Sequence, residues 1–479
     1  MDALVRDGVQ IERLYAFKYC SPSRCALQSG RNPLQVNVLN YDGPEHNPLD
    51  PVGGWMGMAR NFTGIASKLQ AAGFRTHHVG KYDVGQGTPD HTPRGRGYNS
   101  SLIYFMHEND YWADTSYYTC NGTNITDLWM HNATYEGGAR ALNSSWACSQ
   151  AAQAGCRYVD DVFLEEVLAI IAAHDPATPL FLSWMPHGVH TPLEVPAAFL
   201  ARFAFIPDPR RRLYAAMLAH VDSMVGRVAG ALKARGLWDD LLWLTAADNG
   251  GAVYLNGSAG ANNYPLRGGK GSNFEGGIRA NAWAAGGLIP PAQRGAKVTG
   301  LAALQDFYGT FCHLAGVDAF DARAAAAGLP PVDSVNLWPM LSGANGTSPR
   351  AELALGSAGL SAPWTDGAPA VQGLIQLPWK LLLGELGQNI WQSPTYPNES
   401  TRWPDTPFSC GGGCLFDIEA DPSEYEDLAA ARPDVVARLK ARAEELQRAA
   451  YNPQRGGDDG AACGAALGRW GGLWGPVEP

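Results

Sequence analysis

Apolar residues recur along this chain in two rhythms. Tyr214, Met217, Leu218, Val221, Met224, Val225, Val228 and Leu232 follow the i, i+3, i+4, i+7 spacing of an amphipathic helix. Val159 to Ala173 has the same helical spacing, and Ile65 to Ala72 predicts a shorter helix stopped by Gly73. Between these lie short apolar runs. Thr76 to Val79 predicts a strand, and Leu180 to Met185 and Leu241 to Thr245 predict buried strands. Residues 2 to 7 read as the end of a helix, leading to an extended segment at Val9, Ile11 and Leu14. Strands alternating with helices predict an α/β fold with a mostly parallel sheet. No run reaches the roughly 18 apolar residues of a membrane span.

After about Ala351 the pattern changes. Strand material surrounds Pro378-Trp379-Lys380, Leu415 to Ile418 is another short strand, and a last helix starts near Pro433. The expected division is therefore a catalytic-sized unit over 1–350 and a small α+β subdomain over 351–479. Residues 99–155 are polar, aromatic and rich in N-x-Ser/Thr sequons, which predicts a surface insertion. The glycine- and alanine-rich tail from Gly456 reads as an irregular strap, with Cys463 and Trp470 or Trp474 as anchors.

Composition narrows the classes. With 46% hydrophobic and 17% charged residues in 479, the chain is globular and large enough for a sizeable core. A net charge of −10 without a basic stripe argues against nucleic acid as partner; Arg210-Arg211-Arg212 reads as a solvated turn or helix start. Sequons begin at Asn61, Asn99, Asn121, Asn124, Asn132, Asn143, Asn256, Asn345 and Asn398, which favours the secretory pathway, extracellular or lysosomal. Of nine cysteines, setting Cys20 aside leaves eight, enough for four bridges or for fewer bridges and free thiols. The start, Met1-Asp2-Ala3-Leu4-Val5-Arg6, lacks the apolar core of a signal peptide. The simplest reconciliation with the sequons is a natural N-terminus upstream of Met1.

Four clusters carry chemistry. Cys20-Ser21-Pro22-Ser23-Arg24 predicts a turn into a helix, with Cys20 at the anion-favouring end and Arg24 one turn on. Gly80-Lys81-Tyr82-Asp83-Val84-Gly85 ends a strand and offers Lys81 as a compact positive charge. The run Phe181 to Pro196 contains His190-Thr191-Pro192-Leu193; His187 in the same run reads as structural, as do His77 and His78. Asp248-Asn249-Gly250-Gly251 offers hard oxygen ligands at a strand end, followed by Tyr264 to Lys270 and Glu275-Gly276-Gly277-Ile278-Arg279.

Taken together these motifs resemble the formylglycine-dependent sulfatase family. C-S-P-S-R with Leu27 and Ser29-Gly30-Arg31 is similar to its signature; Gly80 to Gly85 resembles G-K-W-H-L-G, His190 to Pro196 resembles V-H-x-P-L-x-x-P, and Pro265 to Arg279 resembles P-L-R-G-x-K…E-G-G-x-R. Tyr214-Ala215-Ala216-Met217, Gly236-Leu237-Trp238 and the final Cys463…Trp474-Gly475-Pro476 resemble the arylsulfatase B, N-acetylgalactosamine-4-sulfatase branch. The resemblance implies an alkaline-phosphatase-like α/β fold and hydrolysis of aryl or glycan sulfate esters. It implies that a formylglycine-generating enzyme converts Cys20 to an aldehyde whose hydrate attacks sulfur, with Arg24, Lys81, His190 and Lys270 around the sulfate. It also implies calcium, with magnesium as the alternative, held by residue 20, Asp248 and Asn249.

Two departures stand out. Asp83 occupies the place of the family histidine that handles a formylglycine proton. The family's upstream aspartate pair has no counterpart, since Asp2 and Asp7 do not match it, which predicts a missing first strand and weak calcium binding. Alternatives of the same superfamily are a phosphonate or phosphate ester hydrolase, or a catalytically impaired glycan-binding relative.

Overall fold

The computed structural model describes residues 1–40, 45–138, 148–253, 259–357, 371–391, 408–451, 455–458 and 460–478. The sequons at Asn143, Asn256 and Asn398 lie outside them.

The catalytic portion is a mixed α/β assembly in which the parallel pairing sits where the motifs are. One sheet has the order Leu180–Met185, Arg75–Lys81, Ser100–Tyr104, Trp129–His131, Glu136–Gly138. Its first three strands run parallel, with Met185 opposite Gly80 and Lys81 opposite Tyr104, so their carboxyl ends open at one edge. A second sheet has the order Trp243–Ala246, Ala282–Ala285, Val9–Ile11, Ala296–Val298, and Val9–Ile11 pairs parallel only with Ala296–Val298. The Val159–Ala173 and Pro209–Ala234 helices cover the first sheet through Val159, Phe163, Val167, Met217, Met224 and Val228. At roughly 1.5–3 kcal/mol per fully buried large side chain, this layer is a major part of what holds the strand ends in place.

Two expectations need correction. Leu180–Met185 and Trp243–Ala246 are largely half-buried, not buried, because each is an edge strand with a single pairing neighbour. The two edges approach each other through Trp184 and Trp243, ring centroids 6.4 Å apart. The 99–155 stretch is also not simply a surface insertion. Ser100–Tyr104 is a buried inner strand, and Trp129–His131 and Glu136–Gly138 extend the same sheet. Flanking polar residues conceal the short run Leu102 to Met106, which is buried throughout. The Thr115–Cys120 and Thr123–Thr126 hairpin stands apart from it.

The C-terminal strands Leu353–Gly356, Val371–Gln376, Trp379–Leu386 and Phe408–Asp417 form an antiparallel sheet, against which the Pro433–Arg448 helix packs through Val435 and Leu439. Lys380 of this sheet reaches Glu275 and Glu424, each at 2.9 Å, and all three side chains are fully buried. Glu275 belongs to the E-G-G-I-R motif, so this ion cluster fastens the subdomain to the loop that carries Lys270. The tail is anchored by Cys463 to Cys120 and by buried Trp474. Further bridges join Cys148 to Cys156 and Cys410 to Cys414, giving three; Cys20, Cys25 and Cys312 are free and buried.

Candidate active site

Cys20 is the first residue of the Cys20–Ser29 helix. Pro22 suits a first turn, where a missing N–H costs little, and Gly30 closes the helix in the left-handed region at φ 67°. Ser23 locks the entry: its hydroxyl donates to the Tyr19 carbonyl at 2.9 Å and accepts from the Phe17 amide at 2.9 Å, and it also contacts the Asp248 carbonyl. The Cys20 Sγ lies 3.4 Å from the Asn249 Oδ1.

Arg24 points back across the helix. Its Nε and Nη2 donate to Asp248 Oδ2 at 2.9 and 2.8 Å, and Nη1 donates to the Lys81 carbonyl at 3.1 Å. Arg24 therefore links the helix, the Arg75–Lys81 strand end and the Asp248-Asn249 turn. Burial alone would raise the Asp248 carboxyl; Arg24, then Lys81 and Lys270, overcome this and hold it at about 2. Three cations from three elements thus converge beside Cys20.

Lys81 and Asp83 are buried and 3.3 Å apart. Asp83 has φ 55°, a left-handed conformation that aspartate tolerates better than most residues. It accepts from the Ser21 hydroxyl at 2.6 Å. Asp83 thus engages the second residue of the Cys20 helix and neutralises part of the Lys81 charge. Gly80 is required beside it: a Cβ there would stand 1.9 Å from the Met185 carbonyl oxygen.

Lys270 is carried by the loop after Tyr264, which returns against the Asp248-Asn249 turn. Its amide donates to the Gly251 carbonyl at 3.0 Å. Gly250 admits this approach, since a Cβ there would lie 1.8 Å from the Gly276 carbonyl oxygen. The Lys270 Nζ meets His190 Nε2 at 3.0 Å. His190 Nδ1 faces the Thr191 carbonyl at 2.8 Å. Burial, then the Lys270 and Lys81 charges, push the His190 imidazolium well below its ordinary range.

Two more residues border these groups: His187, which the sequence marks as structural, and Glu108, which it does not mark. His187 stacks on Tyr111 at 3.9 Å, and Lys81 and Arg24 depress its basicity further after burial. The Thr191 backbone favours its charged form slightly, yet neither ring nitrogen completes a hydrogen bond. The loop that holds it is fixed by Asp160, which accepts from the His187 and Gly188 amides at 2.8 and 2.9 Å. Glu108 follows the Ser100–Tyr104 strand; its Oε2 lies 3.4 Å from the Thr191 hydroxyl and 3.9 Å from His190 Nδ1. His77 and His78 instead bond Ser100 and the Lys81 carbonyl within the sheet.

The expected metal ligands meet only in part. Asp248 and Asn249 adjoin residue 20, yet one Asp248 oxygen is taken by Arg24. No group of three His, Cys, Asp or Glu side chains suited to a metal occurs among the described residues. Calcium takes six to eight oxygen ligands, so these donors do not complete a site.

A family model described as Sulfatase matches residues 1–317. The chain belongs to the sulfatase family. This sulfatase is 29% identical over 500 residues to "Arylsulfatase J" of Mus musculus, covering 99% of this chain and 75% of that protein. It is 26% identical over 349 residues to the "N-acetylgalactosamine-6-sulfatase" of Sus scrofa, covering 71% of this chain and 60% of that one. Among solved structures it resembles Ps i-CgsB in complex with k-i-k-neocarrahexaose at TM-score 0.71 and 23% identity, covering 97% and 90% of the two chains. It also resembles the PsFucS1 sulfatase from Pseudoalteromonas sp. at TM-score 0.69 and 19% identity, covering 94% and 84%. These likenesses establish a sulfatase fold and an enzyme of sulfate ester hydrolysis. The family works with formylglycine and a divalent metal.

Proposed function

We propose that this sulfatase cleaves the sulfate ester of a sulfated glycan, accepting small aryl sulfates as well, through an aldehyde made from Cys20 by a formylglycine-generating enzyme. The observation that carries this reading is the convergence of Arg24, Lys81 and Lys270 on the carboxylate beside Cys20. That density of positive charge from rigid elements suits a sulfate group and the charge that develops as its ester bond breaks. When formed, the hydrated aldehyde supplies the nucleophile.

The chain's own residues then do four things. Arg24 fixes the helix start against Asp248. Lys81 and Lys270 neutralise sulfate oxygens. Lys270, hydrogen-bonded to His190, supplies a proton toward the leaving alcohol oxygen. Asp83, through Ser21, holds the Cys20 end of the helix at Lys81. The metal donors present are too few to route a step through an ion; calcium at Asp248 and Asn249 would need further oxygens.

The Sus scrofa relative is named an N-acetylgalactosamine-6-sulfatase, and one solved neighbour is in complex with k-i-k-neocarrahexaose, which supports a glycan substrate. Three disulfides and exposed sequon asparagines at Asn121, Asn124, Asn132 and Asn345 support an oxidising, secretory location. No described helix is long and apolar enough to cross a membrane. Peptide mass spectrometry of protein from its native host tests the proposal. Aldehyde at position 20 is expected; quantitatively unmodified cysteine would overturn it.

A further inference from the structure

Glu108 is out of place on electrostatic grounds alone. Asp83 and Asp248 lie against Lys81 and Arg24, whereas Glu108 is a carboxylate of the same site with no described lysine or arginine in contact. Its position is well defined. The Ser100–Tyr104 strand runs parallel to Arg75–Lys81, and the chain beyond it passes Lys81, whose Nζ donates to the His107 carbonyl. The next residue, Glu108, therefore lies between the Lys81 strand end and the loop that holds His190 and Thr191.

Its bonding is incomplete in one direction. Oε2 takes the long contact from the Thr191 hydroxyl at 3.4 Å and faces His190 Nδ1 at 3.9 Å. Oε1 bonds no described residue, and the side chain is 23% exposed. The charged groups that face the carboxylate are Lys270, Lys81, His190 and Asp110. Lys270 and Lys81 favour its charged form from beyond ion-pair distance, without occupying its oxygens. It offers an open acceptor beside the pair that meets the leaving oxygen.

The leaving group of an aryl sulfate has no donor next to the ester oxygen. A sugar sulfated on a ring carbon such as C4 keeps a hydroxyl on a neighbouring ring carbon, and that hydroxyl can donate to a carboxylate. We propose that Glu108 is a specificity-determining residue that accepts a hydrogen bond from a sugar hydroxyl adjacent to the sulfate ester, so that the site prefers sulfated sugars to aryl sulfates. The same carboxylate disfavours a second anionic group at that position by like-charge repulsion. This proposal rests on the sulfate ester reading above and names the part of the substrate that the cations do not.

The test measures binding in a C20S background, where no turnover occurs, by titration calorimetry. The probes are N-acetylgalactosamine 4-sulfate, its 3-deoxy analogue and 4-nitrophenyl sulfate. Adding E108Q is expected to cut the preference for the sugar sulfate over the aryl sulfate about tenfold, the value of one hydrogen bond to a charged group. The 3-deoxy analogue should bind both proteins equally, and E108D should keep part of the preference. Matching thermal melts of the variants exclude a folding defect. Equal weakening toward the sugar and aryl esters, or an unchanged preference, would overturn the proposal. Sulfate release by protein with the aldehyde in place tests the hydrolase reading separately, so the two can fail independently.

Discussion

His190 Nε2 lies 3.0 Å from Lys270 Nζ, while the other ring nitrogen faces the Thr191 carbonyl at 2.8 Å. A carbonyl can only accept, so Nδ1 carries the ring proton. Nε2 is then the acceptor, and Lys270 is the donor. In the proposed mechanism the proton for the leaving oxygen therefore comes from Lys270, with His190 orienting it. Sugar alkoxides are poor leaving groups and need that proton more than nitrophenolate does. K270A is therefore expected to lower kcat on a sugar sulfate by about 10²–10⁴ and on 4-nitrophenyl sulfate by distinctly less. Steady-state kinetics on the two esters checks this, and equal losses would contradict the assignment.

Asp248 and Asn249 give too few oxygens for tight calcium binding, and Arg24 already occupies Asp248 Oδ2. Calcium titrated into this chain is expected to bind no tighter than about 10⁻⁴–10⁻³ M, the range of weak oxygen sites. A micromolar dissociation constant by calorimetry would show that further donors join them.

Much of this site was legible in the sequence. Cys20, Arg24, Lys81, His190, Asp248, Asn249 and Lys270 sit in short motifs at helix starts and strand ends, positions that local residue patterns mark well. Glu108 was not legible because it follows a buried strand whose flanks read as a polar insertion. His187 read as a packing residue, and its buried ring stacked on Tyr111 fits that reading. Burial misled in the opposite sense at Leu180–Met185 and Trp243–Ala246. Their apolar runs fit inner strands, whereas pairing across the sheets leaves them at edges. Asp83 was noted as a departure, but only the fold shows its partner to be the Ser21 hydroxyl.

Asp127 lies beneath the segment that leads to Glu108 and accepts from the Phe105 and Met106 amides at 2.8 and 2.9 Å. Burial raises its carboxyl to about 7. A carboxyl raised in the folded state contributes stability that is fully present below its unfolded value of about 3.9 and is lost as pH rises through 7. The melting temperature of the wild type relative to D127N should therefore fall between pH 5 and pH 8. A gap that widens with rising pH would contradict the buried, proton-binding state of Asp127.

Lys380 holds two buried carboxylates, Glu275 and Glu424, and Tyr15 donates to Glu275 at 2.9 Å. Removing only the cation leaves uncompensated buried charge. K380M is expected to destabilise the fold by about 3–5 kcal/mol, read as a lower denaturant midpoint. A triple variant, K380M with E275Q and E424Q, should recover part of that loss. No recovery would show that Lys380 acts through packing and not through its charge.

The most direct test of the whole account is sulfate release from 4-nitrophenyl sulfate by the chain co-expressed with a formylglycine-generating enzyme, set against its C20A variant. Release by the first and none above background by the second is the predicted result. Equal rates from the two proteins would contradict the claim that residue 20 is the nucleophile's source.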